Sequence, residues 1–123
     1  MLECYSVNTD VGANSFVPFN STSIQKGCTA TKSGTDTIEL NKCGVYMVSV
    51  NASLETASTI QLYKDGVAQP QAQGTGATPS FVTLVQVPKN NCGCPCSSPT
   101  TIQLMNTTAT TFTDANITIT KVS

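Results

Sequence analysis

Apolar and polar residues alternate over much of this chain, and the alternation is cleanest over residues 45–54. There Tyr46, Val48, Val50, Ala52 and Leu54 share one face of an extended strand, and Val45, Met47, Ser49, Asn51 and Ser53 share the other. The same period of two marks Thr37-Ile38-Glu39-Leu40 and residues 60–64 and 81–87. Asp65-Gly66 after the second of these is a tight hairpin signal. The return strand it predicts, residues 67–73, is interrupted at Pro70. Residues 2–7 open the series, and residues 101–106 and 115–122 close it, with Ile117 and Ile119 opposite Asn116, Thr118 and Thr120. Residues 15–20 are extended but contain Pro18, which places them at a sheet edge. Residues 24–31 carry only a weak pattern. Residues 74–79 and 89–99 read as loops. The pattern predicts an all-β fold of about eight to ten short antiparallel strands, a sandwich or barrel, with no helix.

Composition agrees. Thr, Ser, Asn, Val and Ile are abundant, and Thr, Val and Ile suit a pleated, half-buried surface. A chain of 123 residues fits one domain. Within it, residues 1–14 are expected to form an N-terminal strand or anchor segment and residues 15–123 the folded domain. Six Lys, no Arg and seven acidic residues are scattered without a cluster. That argues against nucleic acid and against an anionic membrane as partners. With no His and no Arg, the chain lacks the commonest general base and the usual anion clamp, so no enzyme activity and no cofactor are expected. No secretory signal and no membrane-spanning apolar run is visible.

The order of motifs resembles a known family. Ser15-Phe16-Val17-Pro18-Phe19-Asn20 comes first, and Thr37-Ile38-Glu39-Leu40 precedes Cys43-Gly44-Val45-Tyr46-Met47-Val48-Ser49-Val50. Ile60-Gln61-Leu62-Tyr63-Lys64-Asp65-Gly66 and Ala115-Asn116-Ile117-Thr118-Ile119-Thr120-Lys121-Val122 follow. Together, over residues 16–122, these are similar to the jelly-roll family of complement globular heads and tumour necrosis factor. The likeness is nearest to its bacterial and phage branch, with the heads of collagen-like spore-surface glycoproteins. The resemblance implies a ten-stranded jelly-roll β-sandwich assembled as a compact homotrimer, with Gly44 and Tyr46 at the family's glycine and core tyrosine. No Gly-X-Y stalk is expected before the domain, and the cysteine-rich loop is not a family feature. Val45 and Met47, opposite the core-facing Tyr46, need cover, and a neighbouring subunit would supply it. They are the candidate trimer-interface residues; a further sheet of the same chain is the alternative cover.

Six cysteines, Cys4, Cys28, Cys43, Cys92, Cys94 and Cys96, form an even set and are disulfide candidates of undetermined connectivity. Cys92, Cys94 and Cys96 alternate within one loop, which leaves a zinc site with a fourth thiolate as the less favoured reading. Four Asn-x-Ser/Thr sequons, at Asn20, Asn51, Asn106 and Asn116, are expected from an Asn-, Ser- and Thr-rich composition. Pairs such as Glu39 with Glu55, or Asp10 with Asp36, are expected to be solvated rather than catalytic. Tyr63, Tyr5 and Phe112 are possible parts of a sugar-binding surface. The expected function is that of a non-enzymatic virion structural protein. It would be a trimeric capsid decoration or head-fibre subunit of a tailed bacteriophage, made in the host cytoplasm and carried on the virion surface. Its expected partners are a major capsid or other virion protein and a host-surface glycan. The alternatives are a bacterial spore- or cell-surface domain and a carbohydrate-binding module at a fibre tip.

Overall fold

The computed structural model describes residues 1–27, 29–87 and 100–123. Eleven strands appear among them: β1 (Leu2–Val11), β2 (Ser15–Phe16), β3 (Ser21–Gln25), β4 (Ala30–Lys32), β5 (Ile38–Leu40), β6 (Gly44–Leu54), β7 (Ser58–Lys64), β8 (Val67–Gly76), β9 (Ser80–Val87), β10 (Thr100–Asn106) and β11 (Thr110–Lys121). No helix is present among the described residues. One sheet runs β3-β1-β11-β6-β9 and the other β4-β5-β10-β7-β8, with β2 added on β10. All pairings are antiparallel. The two sheets stack as a jelly-roll sandwich, as the sequence pattern and the resemblance both lead one to expect.

The alternation in β6 decides which face is inside. Tyr46, Val48, Val50, Ala52 and Leu54 are all buried; the inward side chains of β11 extend this layer within the same sheet, and those of β7 and β10 face it from the other sheet. Phe19, Phe112, Leu40, Ile60, Leu62, Leu104 and Ile117 fill the same space. Full burial of one such side chain contributes roughly 1.5–3 kcal/mol.

Two boundaries differ from expectation. β8 runs through Pro70 to Gly76, where a break and a loop were expected. β8 pairs only with β7, so the missing N–H of Pro70 costs no second ladder, and a register shift opposite Gln61 to Tyr63 absorbs the misfit. β1 continues to Val11 in unbroken register with β11, with Asn8 at φ 48° between Val7 and Thr9. β1 is hydrogen-bonded between β11 and β3, and Leu2 and Cys4 belong to the core. The Asp65-Gly66 hairpin is as expected, with both residues at positive φ and Asp65 Oδ1 accepting from the Thr101 amide at 2.9 Å.

Two buried polar residues fix the ends of the sandwich. The Tyr46 hydroxyl donates to the Lys42 carbonyl at 2.7 Å and so ties down the entry to β6. Asn106 is fully buried and holds three connections together. Its Nδ2 donates to the carbonyls of Val11 (3.3 Å), Gly12 (3.1 Å) and Thr108 (2.8 Å), while its Oδ1 accepts from Ser58 Oγ (2.6 Å).

Candidate assembly face

The outward face of the β3-β1-β11-β6-β9 sheet follows from register alone. Met47 lies between Thr120 and Leu84, Ser49 between Thr118 and Val82, and Val45 opposite Gln86. On the other side of β11, Glu3 pairs with Thr118, Tyr5 with Asn116 and Val7 with Asp114. Val82 and Leu84 are 64% and 61% exposed, and Met47 and Tyr5 are also open to solvent. Met47, Val82 and Leu84 therefore form a contiguous apolar patch across two strands, bordered by Ser and Thr. A strand with apolar residues on both faces is expected where both faces are covered. No sheet among the described residues covers this one; Val45 is half-buried and Met47 exposed.

Glu3 is a charge within this face. Its carboxylate accepts from Ser23 Oγ at 2.6 Å and from Thr118 Oγ1 at 3.1 Å. Hydrogen bonds from Ser23, Asn116 and Thr118 hold its pKa below the usual carboxylate value. The face thus carries a polar, satisfied half around Glu3 and an apolar half at β6 and β9. Val82 and Leu84 were not among the residues expected here, although alternation in residues 81–87 puts both of them on one side of that strand, opposite Phe81, Val85 and Val87.

Cys4 departs from expectation. Its side chain is buried in the core, 3.7 Å from Thr22 Oγ1, and is a free thiol rather than a disulfide partner. The pleat of β1 directs it inward with Leu2, and burial pushes its pKa up. Cys43 sits immediately before β6, half-buried against the core. Cys28, Cys92, Cys94 and Cys96, and with them the zinc reading, lie outside the described residues. Among the described residues, no three His, Cys, Asp or Glu side chains are grouped to hold a metal.

The acidic pairs named from sequence are not brought together in those combinations. Asp10 instead shares an open groove of about 490 Å³ with Glu55, between the turns that follow β1, β6 and β10. Asp10 there accepts from Thr111 Oγ1 at 2.5 Å. The aromatic trio also separates. Phe112 is buried, Tyr5 is on the assembly face, and Tyr63 lies on the opposite sheet against Phe16.

The fold defines the class: a jelly-roll sandwich of the kind found in complement heads. The globular domain of zebrafish complement 1qA superposes with a TM-score of 0.76 at 10% identity, over 99% of this chain and 96% of that one. The PRD1 vertex protein P5 matches with a TM-score of 0.69 at 17% identity, over 99% and 96%. Rabbit GITRL matches at 0.63 and 10%, over 100% and 95%. At these identities the likeness is one of fold. The chain matches no protein-family model and no curated protein sequence.

Proposed function

We propose that this chain is a non-enzymatic structural subunit that assembles as a homotrimer through the β1/β6/β9 face and is displayed on a bacteriophage particle. The observation that carries the reading is the exposed row of Met47, Val82 and Leu84 on a regular sheet of low charge. Such a row stabilises by burial, and the charges of this face, Glu3 and Asp114, lie on β1 and β11 outside it. The fold likeness to a phage vertex protein supports the virion setting over a spore- or cell-surface one. Capsid decoration and head fibre are the two roles that fit a domain of this size. A disulfide at Cys43 would suit a module that works outside the reducing cytoplasm.

The setting is tested with antibodies raised against the purified protein and particles separated by density from the organism that encodes it. Co-sedimentation with phage particles is expected. Recovery only with the cell envelope or spore coat contradicts the virion setting in favour of the surface-domain alternative.

A further inference from the structure

The outward face of the other sheet carries a different kind of surface. Phe16 on β2, Gln103 and Met105 on β10, and Gln61 and Tyr63 on β7 all point away from the core, because their neighbours Ile60, Leu62, Ile102, Leu104 and Asn106 are buried. Met105 is paired with both Phe16 and Gln61, and Gln103 with Tyr63, so the five side chains are contiguous. The Phe16 and Tyr63 rings meet edge to face, with centroids 5.6 Å apart and planes at 81°. The amides are held in place: Gln61 Nε2 donates to the Gln69 carbonyl at 3.2 Å and Gln103 Nε2 to Thr37 Oγ1 at 3.1 Å. None of the five is charged.

We infer that this platform is a binding site for a neutral oligosaccharide. A pyranose ring has an apolar C–H face and a rim of hydroxyls. An aromatic ring suits the first, and fixed carboxamides suit the second as both donors and acceptors. Low charge gives no advantage to a phosphate, a sulfated glycan or a cationic peptide. Size decides against a protein. A stable protein interface takes roughly 800 Å² from each partner, whereas this platform is five side chains, each only half exposed. Rings locked against each other and amides already tied down lose little freedom on binding. The trimer proposed above turns its other face inward and so leaves three such platforms outward. Only the gain from three linked sites rests on that reading; single-site binding is a property of one subunit.

The test is binding of maltohexaose, mannohexaose and chitohexaose, with a heparin hexasaccharide as anionic counter-probe. It is read by calorimetry and by amide shifts of the labelled protein. At least one neutral probe is expected to bind in the millimolar range and to shift Phe16, Gln61, Tyr63 and Gln103. Tyr63→Ala should weaken that binding about tenfold with the particle mass unchanged, and the milder Gln103→Ala by several-fold. Leu84→Asp, on the opposite face, should change the mass and leave single-site binding intact. No binding of any neutral probe, preferential binding of heparin, or full binding by Tyr63→Ala overturns the assignment.

Discussion

Replacing Asn106 by Ala removes four hydrogen bonds at once, and the structure indicates how much each matters. The carbonyls of Gly12 and Thr108 belong to exposed residues, so water replaces the amide there at little net cost. Val11 is buried, and stranding its carbonyl costs roughly 1–2 kcal/mol; Ser58 Oγ loses one bond, about 1 kcal/mol, but still accepts from the Thr108 amide at 3.1 Å and can donate to the Thr59 carbonyl at 3.4 Å. The small void left by the amide adds about 1 kcal/mol. The expected loss is therefore about 3 kcal/mol, or a fall in Tm on the order of 12 °C for a chain of this length. The assay is urea and thermal unfolding at one fixed protein concentration, because association makes Tm concentration-dependent. Asn106→Asp keeps the shape but replaces three donated bonds with a buried negative charge. A carboxyl so placed has its folded pKa raised, so that variant should be more stable at acid than at neutral pH, losing stability as pH rises through the raised value. A loss under about 1 kcal/mol for Asn106→Ala would show that the three connections are held by something else, and would refute the reasoning.

Three further outcomes are expected. Gly44 has φ 136°, and a Cβ there would stand 2.3 Å from the Ser123 carbonyl oxygen. Gly44→Ala should therefore cost roughly 2–3 kcal/mol and expose the Val122 amide, now bonded to the Val45 carbonyl at 2.8 Å, to hydrogen exchange; unchanged protection would contradict this. Burial raises the Tyr46 phenol above its ordinary value of 10, so its contribution to stability is complete below that pH and is lost as pH climbs through the raised folded value. Tyr46→Phe should be less stable at neutral pH by about 1–2 kcal/mol and show a flatter alkaline loss, and identical alkaline profiles would dismiss the assignment. Glu3 behaves in the opposite sense. Its lowered pKa gives stability that is present above 4.5 and lost as pH falls through the folded value, and Glu3→Gln should remove that part of the acid transition in a pH series of unfolding curves.

The regular parts of the fold were legible because one physical rule governs them. In β6 and β11 each inward residue is apolar and each outward one mostly polar, so the pleat is written in the sequence. The Asp65-Gly66 turn was legible because few residue pairs accept two successive positive φ angles. What escaped depends on long-range partners. Pro70 reads as a break, yet it is accommodated because β8 lies at an edge, which only the topology reveals. An even cysteine count suggests pairing throughout, but the direction of Cys4 is fixed by which face of β1 meets the core. Phe112 looked available as a surface aromatic because residues 110–114 carry no clear period; the register shift between Phe112 and Asp114 is the reason. Half of the proposed assembly face, Val45 and Met47, was read from β6. Val82 and Leu84 became visible only once β9 was placed beside it.

The central claim is that the row of Met47, Val82 and Leu84 is buried between copies of this chain. The most direct test is the particle mass in solution, by light scattering, of the unaltered protein and of Leu84→Asp. The account predicts three times the 12.8 kDa chain mass for the first and a folded monomer, with unchanged β-sheet circular dichroism, for the second. A monomeric unaltered protein, or a trimer that persists with Asp at position 84, would contradict it.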